Sequence, residues 1–333
     1  MSASLESSQT AIPLGHGGAL TEGEVSAAVH GVSGIPMNPK VRMHRSFSDW
    51  VVDIAIWTIV ALAVAAILYP LWFIVIASFS DPKLAASGQI TFILRGITLK
   101  GYATIFHDAR IRRGYENTLL YTFAGTLLNM VVTIPVAFAL SRREFRARHL
   151  IMFLFTFTMF FGGGLIPSYL LYRQLGILNS AWVFILPGAV SVYNVIIARS
   201  FFDTSLPEEL FDAAQLDGMS YLGYFVRIVL PLSSAIIAVI ALYYFVGHWN
   251  DYFTGLIYVT DTQKWPLQNV LQQILLANQT QTSTAASGAQ EAKEIAEQIK
   301  YGVIIVSTLP LLVMYPFLQR YFNKGVMIGA VKG

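Results

Sequence analysis

At 333 residues the chain is 55% hydrophobic and only 12% charged, with a formal net charge of +3. Soluble domains carry about 25% charged residues, so a chain this poor in charge cannot coat a globule of its size in water and must dissolve in lipid. The absence of cysteine excludes disulfides, cysteine-ligated zinc, iron–sulfur clusters and a thiol nucleophile, and the basic residues, scattered among apolar runs, form no nucleic-acid surface.

Residues 1–45 are rich in Gly, Ser and Ala and poor in aromatics. A secretory signal needs a basic start and an apolar stretch of about 7–15 residues, and neither is present. The composition predicts a disordered tail, leaving 46–333 as the membrane domain. Six runs there reach the roughly 20 residues that cross a bilayer: Trp50–Phe79, Asn117–Leu140, Leu150–Leu171, Ala181–Arg199, Ile228–Val246 and Tyr301–Phe322. The fold class expected is therefore all-α, a polytopic membrane protein with six transmembrane helices. Pro70, Pro135, Pro187 and Pro310 lie inside these runs and are tolerated in lipid. Gly162, Gly163, Gly164 and Pro167 are expected to loosen or end the third helix, either at a wet cavity or at a close helix contact.

With both termini in the cytoplasm, the inner segments hold twelve Lys and Arg and the outer segments ten, a balance that decides nothing. Short connections report orientation best. Arg142, Arg143, Arg146 and Arg148 crowd one of them, whereas the next, Tyr172–Ser180, holds only Arg173. That contrast places 141–149, and with it both termini, inside. No internal repeat is visible, which weakens a secondary-transporter reading.

The connection between the fourth and fifth runs, residues 203–227, is unlike the others. Ser205 reads as an N-cap, Pro207 as a first-turn residue and Glu208 as the capping-box partner three positions on. Glu208, Glu209 and Asp212 bring negative charge to the positive end of a short helix, and Gly218 supplies its stop. A second helix starts at Ser220 and runs through Phe225 and Ile228 into Leu230-Pro231. The product is a helix–turn–helix with an acidic exposed side, on which Ala213 and Ala214 let a partner approach closely.

The run Phe211-Asp-Ala-Ala-Gln-Leu-Asp-Gly-Met, followed by Phe225 and Ile228-Val-Leu-Pro231, resembles the EAA loop of bacterial ABC import permeases. The resemblance implies that this loop forms the coupling helix seated in a cleft of the ATP-binding subunit, with Glu208, Glu209, Asp212, Ala213, Ala214, Asp217 and Gly218 as its ATPase-coupling residues. Asp212 stands where the family has Glu, one methylene shorter. Gly247-His-Trp-Asn-Asp-Tyr252 resembles the Trp-Asn segment of carbohydrate permeases, and Gln319–Gly333 resembles their C-terminal tail. In the maltose-importer relative that tail enters the interface between the ATPase subunits, so Val326, Ile328, Gly329 and Lys332 of the cytoplasmic tail 323–333 are expected ATPase contacts. Gly163–Tyr169 and Leu186–Asn194 look closest to the oligosaccharide and polysaccharide branch, and within it to an alginate-type importer of an acidic polysaccharide.

The family implies a second homologous permease, two ATP-binding subunits, an external solute-binding protein and a carbohydrate substrate, in the bacterial inner membrane. No Gly-rich loop ending in Gly-Lys-Ser/Thr exists here. ATP and Mg2+ therefore belong to partner subunits, and this chain is expected to hold no cofactor, metal or catalytic residue. Trp249 and Asn250 carry an aromatic face and an amide suited to sugar, although an interfacial Trp is normal at any membrane boundary. Arg110, Arg112 and Arg113 suit lipid phosphates or an acidic ligand. The long polar loop 247–300, especially Gln268–Lys300, is expected to contact the binding protein. An ion-coupled secondary transporter would need ionisable groups deep in the spans, and an intramembrane hydrolase a Ser or Asp nucleophile paired across helices; neither pattern is evident.

Overall fold

The computed structural model describes residues 47–81, 84, 92–94, 96–283 and 299–316, and among these every regular element is helical. The N-terminal tail, the Val326–Lys332 contacts and residues 284–298 of the polar outer loop lie outside the described residues. Contacts divide the chain into two units, one ending at Val64 and one beginning at Ala65.

Helix α1, Phe47–Phe79, has 33 residues and Pro70 inside it. At about 1.5 Å per residue it is longer than the hydrocarbon core of a bilayer. In the first unit its Trp57 (72% exposed) and Leu62 stand free, an arrangement that lipid permits and water does not. In the second unit follow α2 (Lys100–His107), α3 (Ala109–Ser141), α4 (Arg148–Phe160), α5 (Leu165–Gln174), α6 (Trp182–Ile185) and α7 (Val192–Ser205). After them come α8 (Glu208–Leu216), α9 (Tyr221–Leu232), α10 (Ser234–Trp249), α11 (Phe253–Tyr258), α12 (Leu267–Ser283) and α13 (Ile299–Pro316).

Three of these, α1, α3 and α13, are long and apolar enough to cross a membrane alone. Two bent pairs join them if each counts as one span: α4 with α5 at 112°, and α9 with α10 at 82°. The glycine run causes the first bend, because Gly164 takes φ +83° and residues 161–164 leave the helix. In the second, Pro231 offers no N–H to the turn before it; Phe225–Val229 widens into a π-helical stretch, and the chain breaks at Ser233. The expected span 181–199 is not one helix. Leu186 precedes Pro187, which disfavours helical backbone there, and residues 186–191 separate the four-residue α6 from α7.

Helix α3 is the hub, packed on α7, α10 and α12. Its Ile134, Phe138 and Leu140 meet Val195 and Phe202 of α7 and Ile240 and Tyr244 of α10 in the main core. A second cluster joins Ile111, Phe245 and Trp249 to Leu267, Val270, Leu271 and Ile274. The first half of the polar outer loop is thus an amphipathic helix seated on the bundle. Its entry is pinned to α3, where Thr118 Oγ1 accepts from Leu267 N–H at 2.7 Å and Asn117 Nδ2 donates to the carbonyls of Gln263 and Trp265 at 2.8 and 2.9 Å.

Candidate functional site

Two places bring chemistry-bearing residues together, the 203–227 loop and a cavity at the break in 181–199. In the loop, Ser205 is not a cap. It is the last residue of α7, and Pro207, with ψ 140°, occupies the N-cap position of α8 without a side-chain bond. Proline has no N–H to satisfy and its φ of −58° leads directly into the helix. Glu208, released from the capping-box role, accepts instead from Arg143 Nε at 2.9 Å.

The stop at Gly218 has the form expected. Its φ is +73°, its N–H donates to Gln215 O at 2.9 Å, and Met219 N–H donates to Ala214 O at 2.9 Å. That pair of bonds is a Schellman motif. Ser220 Oγ then accepts from Gly223 N–H at 3.2 Å and caps α9.

The faces of α8 divide cleanly. Phe211 and Ala214 are buried, whereas Glu209, Asp212, Ala213, Leu216 (90% exposed), Asp217 and Gly218 face outward. Ala214 therefore belongs to the packing side, since three residues separate it from Phe211 on one helical stripe, and only Ala213 is open to a partner. Inside, the Phe211 ring lies 5.0 Å from Tyr221 and 5.2 Å from Tyr224. The buried Arg142 guanidinium, just past the end of α3, sits 4.6 Å from the same ring. With Arg143 on Glu208, the arginine-rich connection grips α8 at two points that sequence reading missed.

The cavity, about 560 Å³, is lined by residues that include Pro187, Gly188, Tyr193, Asn194, Tyr243, His248 and Asp251. A buried network holds its wall. Asn129 Nδ2 donates to the carbonyl of Gly188, which turns Asn129 Oδ1 toward His248 Nε2 at 2.7 Å. An amide oxygen only accepts, so His248 carries its proton on Nε2 and leaves Nδ1 as an acceptor. Ser191 N–H donates to the Tyr244 hydroxyl at 2.9 Å, and that hydroxyl is 2.7 Å from Thr133 Oγ1. Backbone freed by the helix break is thereby repaid by side chains of α3 and α10. Gly125 leaves the room for this, because a Cβ there would sit 2.5 Å from the His248 ring.

Trp249 and Asn250 are placed differently from each other. Trp249 is 1% exposed, packs on Tyr115 and Phe245, and spends its one donor on Ser307 O at 3.0 Å. In this arrangement it offers a sugar neither face nor donor. Asn250 is exposed and caps α10, with Nδ2 donating to Val246 O at 2.9 Å. Trp249→Ala is accordingly expected to cost about 3–5 kcal/mol and to lower the thermal unfolding temperature in detergent, while Asn250→Ala leaves it nearly unchanged. Arg110 and Arg113 are engaged locally, Arg110 with Asp108 at 2.7 Å and Arg113 with Glu116 at 3.9 Å. The Arg110 side chain holds the Asp108 carboxyl below the usual carboxylate range.

Apolar helices interrupted at a polar-walled cavity, with a capped helical hairpin among them, mark a membrane-embedded protein. The chain belongs to the family of binding-protein-dependent transport system inner membrane components, whose model matches residues 111–328. It is 38% identical to protein LplC of Bacillus subtilis (strain 168) over 291 residues, 87% of this chain and 98% of that one. It is 36% identical to the polygalacturonan/rhamnogalacturonan transport system permease protein YtcP of the same organism, over 84% of this chain and 98% of that one. The fold is similar to a chain in the crystal structure of a bacterial ABC transporter involved in the import of the acidic polysaccharide alginate. The TM-score is 0.76 and the identity 27%, covering 83% of this chain and 98% of that one. The expected resemblance to sugar and polysaccharide ABC permeases is borne out.

Proposed function

We propose that the chain supplies half of the translocation pathway of an ATP-driven importer of oligo- or polysaccharide, with ATP bound and hydrolysed on two separate subunits. The observation that carries this reading is α8: a rigidly capped helix whose outer face presents Glu209, Asp212, Ala213 and Asp217 while Phe211, Ala214 and Arg142 fasten its inner face to the bundle. A helix so fixed transmits a push from a docked subunit to α3 and α10 as a rigid-body motion. The remaining parts are a second homologous permease, an external binding protein that meets the outer loop, and the tail residues Val326, Ile328, Gly329 and Lys332 against the ATPases. Six spans with both termini cytoplasmic complete the proposal, with the α6–α7 segment crossing as a broken helix. The similarity to the alginate importer favours an acidic polysaccharide.

Reconstitution tests this directly. The complex purified through this chain should contain a second permease and an ATPase, and proteoliposomes should take up saccharide only with ATP and the loaded binding protein. Uptake driven by an ion gradient without ATP would replace the reading with a secondary transporter.

A further inference from the structure

The C-terminal end of α3, the arginine-rich connection after it and the start of α9 line a groove of about 440 Å³, a volume in the range of ligand sites. Its lining includes Phe138, Phe145, Leu222 and Phe225, and its charged residues are Arg142 and Glu144. Leu222 is 71% exposed, so the groove opens outward. Arg142 is 8% exposed, yet its side chain makes no hydrogen bond among the described residues, and its buried Nε lacks an acceptor. Glu144 Oε2 stands 3.6 Å from Nε, near enough to pair charges and too far for a hydrogen bond. Tyr224, whose ring packs on the same Phe211 as Arg142, also has a buried hydroxyl without a partner.

A buried guanidinium with unused donors calls for an anionic acceptor, and phosphate oxygens match its fork. The apolar walls call for hydrocarbon. A phospholipid supplies both in one molecule, and the half-exposed Glu144 can turn to water when a phosphate arrives. Charge favours an anionic headgroup. The connection 142–148 holds Arg142, Arg143, Arg146 and Arg148 against Glu144 alone. Arg146 and Arg148 have no ion pair among the described residues, and a basic segment beside membrane helices draws acidic lipids. We propose that this groove holds an anionic phospholipid of the cytoplasmic leaflet, its phosphate on Arg142 and an acyl chain along Phe138, Phe145 and Phe225. The choice of leaflet rests on the topology proposed above; the site itself does not.

Photolabelling of the whole complex, purified in mild detergent, tests this. The probe is phosphatidylglycerol with a diazirine in one acyl chain, and phosphatidylcholine with the same chain is the control. Mass spectrometry then maps the adducts. Phosphatidylglycerol should label 138–145 and 221–225 about tenfold more than phosphatidylcholine does. Arg142→Gln should bring its labelling down to the phosphatidylcholine level. Because Arg142 also packs on Phe211, a second variant leaves it in place. Leu222→Trp, at an exposed position, narrows the groove and should lower labelling severalfold at a parental unfolding temperature. Equal labelling by the two lipids, or parental labelling in Arg142→Gln, overturns headgroup recognition. Adducts confined to other helices, as when a partner subunit covers the groove, overturn the site. A complex that purifies without an ATPase fails the importer reading instead, and the adducts still decide whether the lipid is bound.

Discussion

Gly218→Pro is expected to abolish ATP-driven saccharide uptake while the chain still inserts in the membrane. Proline holds φ near −65°, whereas Gly218 sits at +73° and its N–H closes the α8 terminus on Gln215 O. The change loses that bond and forces the turn to unwind, at a cost of about 3 kcal/mol or more. The Met219–Ala214 bond cannot form without the same turn. Because α8 hangs at the end of the bundle, the damage stays local and the spans persist. Asp212→Arg is the companion variant. It reverses charge on the exposed face and touches neither Phe211 nor the cap, so it should reduce uptake with no loss of thermal stability. Membrane-fraction immunoblots and ATP-dependent uptake in the same cells check both, and normal uptake in both variants would remove α8 as the coupling element.

The second large effect is expected at Asn129, buried in the middle of α3. Asn129→Leu is close in volume but leaves the Gly188 carbonyl and the His248 Nε2–H without partners. Each orphaned group costs about 1–3 kcal/mol, and together they release the wall of the cavity. The thermal unfolding temperature of the purified complex should fall by several degrees, and uptake should fall with it. Gly125→Ala should act in the same direction by a different route, pushing the His248 ring off Asn129. Parental stability in Asn129→Leu would mean that water substitutes for the amide and that the network does not hold the break in place.

Much of this was legible in the sequence because its causes are local. Lipid residence follows from a charge share too low to cover a surface. The run 50–79 becomes one helix, Pro70 included, because its apolar residues suit lipid and a membrane helix tolerates proline. Gly218 ends α8 because only glycine takes a left-handed turn without strain. The capping and stop signals located the helical hairpin, although its first cap was misplaced by two residues: Ser205 continues α7, and Pro207 opens α8.

What the tertiary structure decided is everything set by contacts distant in the chain. The stretch 181–199 is apolar enough for a span, but its break at Pro187-Gly188 is tolerable only because Asn129 and Tyr244, from two other helices, accept or donate to the freed backbone. Composition cannot announce that pairing. Trp249 reads as a sugar platform beside Asn250, yet Tyr115, Phe245 and Ser307 enclose it. Tyr193, Tyr243 and Asp251 share one cavity although more than fifty residues of chain separate the first from the last. A hydropathy profile sums residues along the chain and so finds what lipid requires of each segment. Which polar side chains face one another across the bundle depends on how the helices break and pack, and only the folded chain brings those partners within reach.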